Sequence, residues 1–307
     1  MALLQPLLPS TEISEPDVAL DSRNRSRASL ILRRVFSTKR AWIGSTVLGF
    51  IILWAFIGPY LYQWNYLDQD GLAFSVPPSA SHWFGTNDIG QDVYAQTLIG
   101  LQKSLIIGLI VGPLAALIAG FVGATAGYLG GMWDRVIVWF IDLLLVLPSL
   151  YLLVLLSPLF KSLSWLALVV FLALFGWMVL ARVIRGQTMS LREREYVKAA
   201  RFMGVSGFAI IRRHILPNVA SLLIIDATLG IGAAILAETT LSFFGFGVQP
   251  PDVSLGTLLA LGSGSAITRP WLFVFPAAIL VITVLASSLL GDALRDAIDP
   301  TSGATNE

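Results

Sequence analysis

Four stretches of this chain, Ala41 to Leu67, Ser104 to Trp133, Ser162 to Ala181 and Pro270 to Gly291, contain no Asp, Glu, Lys or Arg. A helix rises about 1.5 Å per residue, so roughly 20 apolar residues cross the ~30 Å hydrocarbon core of a bilayer. A soluble core has no need of such runs. Two further stretches are interrupted only by isolated acids: Val136 to Phe160 by Asp142, and Val219 to Phe246 by Asp226 and Glu238. With 56% apolar and 13% charged residues and a mean hydropathy of +0.77, the chain belongs to the membrane class. The reading is an all-α membrane protein with six transmembrane helices, and its 27 glycines suit close helix packing in lipid.

The basic residues set an orientation. Seven lie between Arg23 and Arg40, seven between Arg185 and Pro217, none between Gln63 and Thr97, and one between Gly245 and Arg269. Under the positive-inside rule the first two segments are cytoplasmic and the last two are outer loops. Six spans satisfy this with both termini inside, N-in/C-in. Removing any one of the four spans between them would put the two basic segments on opposite faces. Residues 1–40 read as a cytoplasmic tail, mostly disordered, whose opening "MALLQPLLPSTEISEPDVAL" lacks the basic region of a cleaved signal peptide. Residues 41–67 form the first span and the start of the outer loop, 68–103 the rest of that loop, 104–300 a core of five spans, and 301–307 a cytoplasmic tail. Cysteine is absent, so neither disulfides nor thiolate metal sites arise.

Leu191 to Asn218, "LREREYVKAARFMGVSGFAIIRRHILPN", gathers six Lys or Arg and two Glu. Ser190 followed by Glu193 has capping-box spacing and predicts a helix start. Tyr196, Ala199, Ala200 and Met203 then share one apolar face, with Arg194, Lys198 and Arg201 off it. Gly204 supplies a left-handed stop. A second short helix begins at Ser206 and is expected to end before Pro217. Two readings of this loop stay open on composition alone: an interfacial anchor on anionic lipid, or an apolar knob that docks on a protein.

The same residues resemble a known motif. "YVKAARFMGVSGFAIIRRHILPN" is similar to the EAA loop of binding-protein-dependent ABC importer permeases, matching at Ala199, Ala200, Gly204, Leu216 and Pro217. "HWFGTNDIGQDVYAQTLIGLQKSL" (82–105), "LAETTLSFFGFGVQPPDVSLGTLL" (236–259) and "LLGDALRDAIDP" (289–300) are similar to segments of the C-type permease of the dipeptide, oligopeptide and nickel importers. This resemblance implies a type I ABC importer permease fold in the bacterial inner membrane, translocating peptides or a similar small polar solute. It implies that Glu195, Tyr196, Lys198, Ala199, Ala200, Arg201, Met203, Gly204, Leu216 and Pro217 form the coupling loop, a helix-in-groove contact on an ATPase. The implied partners are a second homologous permease, two cytoplasmic ATPase subunits, an extracytoplasmic solute-binding protein and the lipid bilayer, with no nucleic acid. No cofactor is implied on this chain; ATP and Mg belong to the ATPases. The chain departs from the family at Lys198, where the motif is acidic, and at Gln91, Gln96 and Gln102, where relatives usually carry Arg.

The chain is read as a transport subunit rather than an enzyme. A phosphate-cradling loop would need G-x-x-x-x-G-K-[ST], and the Lys-Ser pairs at 103–104 and 161–162 lack the preceding glycine. The G-x-S-G at Gly204 to Gly207 invites an intramembrane serine protease, but His82 and His214 lie outside the expected spans, so Ser206 reads as a helix cap. An ion-gradient-driven secondary transporter would use membrane acids, with Asp142, Asp226 and Glu238 as candidates; the other reading pairs each with a neighbouring helix or partner. His82 near Asp88 and Asp92 is either a metal site or part of an ordinary surface loop. The aromatic groups "HWF", "SFFGF" and "PWLFVF" are expected as interface anchors.

Overall fold

The computed structural model describes residues 36, 38–148, 151, 152, 155 and 165–298. Apart from Phe36 and Thr38 to Arg40, the expected 1–40 tail lies outside these residues, as does the whole 301–307 tail. The described residues are helical, with isolated bridges at Gln69–Gln91 and Thr86–Asp92 in place of strands. The elements are α1 (Lys39–Leu61), α2 (Val93–Leu129), α3 (Gly131–Val146), α4 (Leu166–Gly176), α5 (Met178–Arg192), α6 (Glu195–Phe202), α7 (Gly207–Ile210), α8 (Leu216–Phe243), α9 (Leu255–Ser263) and α10 (Trp271–Ile298).

Four helical stretches are long and apolar enough to cross a membrane: α1, α2, Gly207–Phe243 and α10. Counting α4 and α5, bent by 40° at Trp177, as one broken span makes five. Of the expected span Val136–Phe160, α3 covers the part to Val146. It stops because Leu147 precedes Pro148 and takes an extended conformation. Much of the rest of that stretch lies outside the described residues.

Several boundaries move for local reasons. α2 begins at Val93 rather than Ser104, because buried Asp92 caps it by accepting from the Ala95 amide at 2.8 Å. α1 ends at Leu61, short of Leu67, where Tyr62 turns extended. The loop after α8 carries a helix that hydrophobic runs do not reveal: α9, started by a capping box between Ser254 and Thr257.

Glycine sets the helix spacing around α2. A Cβ on Gly123 would lie 2.4 Å from the Ala181 carbonyl oxygen, and one on Gly127 would lie 2.6 Å from that of Arg185. One face of α2 therefore meets the backbone of α5. Further along, Gly112 meets the backbone of α8, where a Cβ would lie 2.7 Å from the Ala227 carbonyl oxygen. Small residues let helices approach closely in lipid, where water supplies no drive to bury apolar side chains. One buried cluster, including Ala181, Ile184, Val197, Ile210 and Ile215, joins α5 to the loop helices; another, including Ile51, Leu101, Ile235 and Leu255, fills the opposite end.

Candidate functional site

The loop between α5 and α8 is built around a helix stop. Gly204 has φ +78°, a conformation costly for other residues. The Val205 amide donates to the Ala200 carbonyl at 3.1 Å and the Gly204 amide to that of Arg201 at 3.0 Å. These paired bonds are a Schellman motif, which satisfies the last carbonyls of α6. Val205 packs against the cluster that contains Ala200, the hydrophobic contact that accompanies this motif. Ala200 is small because it sits under this turn, and Gly204 is glycine because the turn is left-handed.

The start of α6 differs from expectation. Ser190 lies in the last turn of α5, and α6 begins at Glu195 with Arg194 as its N-cap and no side-chain cap bond. Glu193 is occupied elsewhere, 3.1 Å from Lys198 and 3.4 Å from Arg192. The hydrogen bond from Lys198 holds its carboxyl below the usual carboxylate range. Lys198 thus has an acid partner within the chain. Ser206 is a cap, accepting from the Ala209 amide at 3.4 Å.

Pro217 does not end a helix. The chain is helical from Gly207 to Phe243, passing through a π-turn at Ile211–Ile215. The wider turn delivers the Leu216 amide to the Ile211 carbonyl, and Pro217 falls in the first turn of α8, where a missing N–H is tolerated. Leu216 and Pro217 are therefore a joint that keeps the short helix continuous with the long one.

The apolar face of α6 is also rotated from the expected one. Ala200 turns inward with Val197, both buried, while Tyr196, Ala199, Phe202 and Met203 face outward. Phe202 is 90% and Met203 76% exposed, with Phe208 bare beside them. Phe202 was missed; the alternation of inward Val197 and Ala200 with outward neighbours is the signal that could have located it. Glu195, Lys198 and Arg201 are exposed around this face.

The acids of the apolar stretches find different fates. Asp142 pairs with Arg182 of α5, and Asp134 is held by Arg185 through two bonds of 2.5 and 2.6 Å. Arg192 reaches the Tyr128 carbonyl at the end of α2, 3.3 Å away. Arg182 lies just past the expected span end at Ala181, and Arg185 and Arg192 open the basic segment that the sequence places in the cytoplasm. Glu238 is fully buried, accepting from Ser104 of α2 at 2.7 Å and Ser242 at 2.6 Å. The two serines in turn accept from the Leu255 amide at 3.4 Å and the Val248 amide at 3.0 Å, so Glu238 ties α2 and α8 to the segment leading into α9. Asp226 has no hydrogen bond or ion pair among the described residues. It lines a cavity of about 410 Å³ between α2, α4 and α8.

At the α9 end, His82 is 2% exposed rather than in an open loop. Its Nδ1 lies 2.8 Å from Asp92 and its Nε2 3.4 Å from Asp70, with Trp64 stacked on the ring. Tyr62 donates to the same Asp92 at 2.9 Å; burial and that carboxylate push its hydroxyl well above its ordinary range. Asp88 turns away to Arg269 and Ser75, so His82, Asp88 and Asp92 do not converge. Among the described residues no group of three or more His, Asp or Glu could hold an ion. Gln91 accepts from Gln96 at 2.7 Å, and Gln102 donates to the Ala55 carbonyl at 2.7 Å, so the three glutamines serve as internal ties. "HWF" and "PWLFVF" pack on each other, Phe84 stacking on Phe275 with ring centroids 4.1 Å apart.

Comparison with known proteins agrees with this architecture. Residues 26–78 match the N-terminal TM domain of oligopeptide transport permease C. The oligopeptide transport system permease protein OppC of Mycobacterium tuberculosis (strain CDC 1551 / Oshkosh) is 52% identical over 278 residues, covering 90% of this chain and 96% of that one. OppC of Haemophilus influenzae is 37% identical over 87% of this chain and 86% of its own length. The dipeptide transport system permease protein DppC of Bacillus subtilis (strain 168) is 38% identical, over 87% and 84%. Residues 116–302 match the binding-protein-dependent transport system inner membrane components, and the chain belongs to that family of transport permeases.

Proposed function

We propose that this chain is the permease subunit of a peptide ABC importer, moving oligopeptides or dipeptides without making or breaking their bonds. The observation that carries this is the exposed apolar face of α6, joined by a Schellman turn to the 37-residue helix Gly207–Phe243. The names of the relatives support peptides as the substrate class. In this reading six spans cross the membrane, N-in/C-in, with the sixth formed by α3 and the stretch after Pro148. Residues 1–40 and 301–307 are cytoplasmic, and the loops before α2 and around α9 face outward.

A second homologous permease completes the pathway, two ATPase subunits bind ATP and Mg, and a solute-binding protein delivers substrate to the outer loops. Tyr196, Ala199, Phe202 and Met203 seat in a groove of one ATPase, ringed by Glu195, Lys198 and Arg201. ATP-driven closure of the ATPases moves α6, and the continuous helix carries that motion into the membrane. ATP shifts the conformational equilibrium only through contacts that differ between the two states, and α6 provides them. The test is reconstitution of the whole complex in proteoliposomes with labelled trialanine. ATP-dependent accumulation that requires the binding protein is expected; accumulation driven by a proton gradient without ATP would overturn the assignment.

A further inference from the structure

Asp226 stands apart from the other acids of the apolar stretches. Asp134, Asp142 and Glu238 each have partners, whereas Asp226 has none among the described residues and opens on the cavity between α2, α4 and α8. It lies ten residues beyond Leu216, about 15 Å along the helix, and thus well inside the apolar stretch. The cavity walls near it are small residues, including Gly112, Ala115, Gly176, Gly230 and Ala233. The space is set by backbone: a Cβ on Gly230 would already sit 3.2 Å from the Gly112 Cα. At about 410 Å³ it falls within the range of small-molecule sites.

These features select for charge and size. Asp226 is partly buried on a cavity whose other lining side chains are all apolar, and a carboxylate at this depth favours a cation and repels an anion. Val111, Leu172, Phe175 and Leu229 line the rest, so Asp226 is the one polar side chain on the cavity. Asp226 lies on the continuous helix Gly207–Phe243, which the Schellman turn at Gly204 joins to α6.

We propose that Asp226 and its cavity form a transient site for the primary ammonium group of a small peptide crossing the membrane. This deepens the peptide-importer reading and rests on it. Every unblocked peptide carries an α-ammonium whatever its sequence, so one carboxylate in an otherwise apolar cavity recognises peptides as a class.

The test uses the full complex with its binding protein in proteoliposomes. Uptake of trialanine and of N-acetyl-trialanine is compared for wild type, Asp226→Asn and Asp226→Glu, each peptide at a concentration that saturates the binding protein by calorimetry. Loss of a charge-assisted contact predicts that Asp226→Asn slows trialanine uptake about tenfold, while the acetylated peptide changes less than about twofold. Asp226→Glu is expected to stay within about threefold of wild type for trialanine. Equal slowing of both peptides by Asp226→Asn would make the residue structural and overturn the proposal, as would unchanged trialanine uptake. Separation of the two permeases on size exclusion of the Asn variant would assign the carboxylate to the subunit interface and likewise overturn it. A wild-type complex that moves neither peptide would instead refute the peptide reading itself, and this site with it.

Discussion

Gly204 shows how a single residue shapes the loop. Its φ of +78° is required by the turn, yet a Cβ there would meet nothing within 4 Å. Gly204→Ala therefore adds a Cβ that meets nothing and acts through backbone strain alone, about 1–2 kcal/mol. The expected outcome is a protein that inserts normally, with a nearly unchanged thermal melt, but shows impaired uptake and impaired peptide-stimulated ATP hydrolysis by the complex. Glu238 is the opposite case. Glu238→Leu leaves the buried hydroxyls of Ser104 and Ser242 without their acceptor, at about 1–3 kcal/mol for each unsatisfied group. A melt of the detergent-solubilised protein should fall clearly for this variant and less for Glu238→Gln, which keeps a carbonyl oxygen in place. The Glu193–Lys198 pair is exposed, and its folded carboxyl pKa is lowered. Its small stabilisation is therefore present above the ordinary glutamate value and lost only as pH falls through the lowered one. Melts of wild type and Glu193→Gln should show the same trend between pH 8 and pH 6.

Elements were legible where one physical rule dominates and obscured where two compete. Charge-free runs located the cores of α1, α2 and α10, because no other arrangement hides so many apolar residues. Gly204 and Ser206 were readable since each has a local conformational reason. The Ser190 cap was not, since Glu193 found Lys198 and Arg192 in place of a backbone amide. Pro217 looked like a terminator because a π-turn, which no residue pattern announces, makes room for it. Arg182 and Arg185 lay just beyond a hydropathy boundary, and their partners Asp142 and Asp134 are distant in sequence. Helix spacing is a property of pairs of elements. Gly123→Leu should push α5 from α2, since a Cβ alone would lie 2.4 Å from the Ala181 carbonyl oxygen. Overpacking of this kind costs about 1–3 kcal/mol or more. Fluorescence-detected size exclusion after heating should show a lower aggregation temperature than for wild type, whereas Gly49→Leu, where a Cβ meets nothing, should behave as wild type.

For the whole molecule, the two ends are built differently. One end presents a bare apolar helix face beside a continuous helical joint; the other has two separate networks, His82 and Tyr62 on Asp92 and Ser104 and Ser242 on Glu238, that fix loops onto the bundle. That asymmetry suits a protein driven from one face and loaded from the other. We propose that α6 is the surface through which an ATPase moves the bundle. The direct measurement replaces Phe202 with p-benzoylphenylalanine and irradiates the assembled complex, with Ile267, 98% exposed near α9, replaced in a second sample. An adduct between position 202 and an ATPase subunit is expected, and none between position 267 and the ATPase. Position 202 linking only to lipid, or position 267 linking to the ATPase, would contradict it.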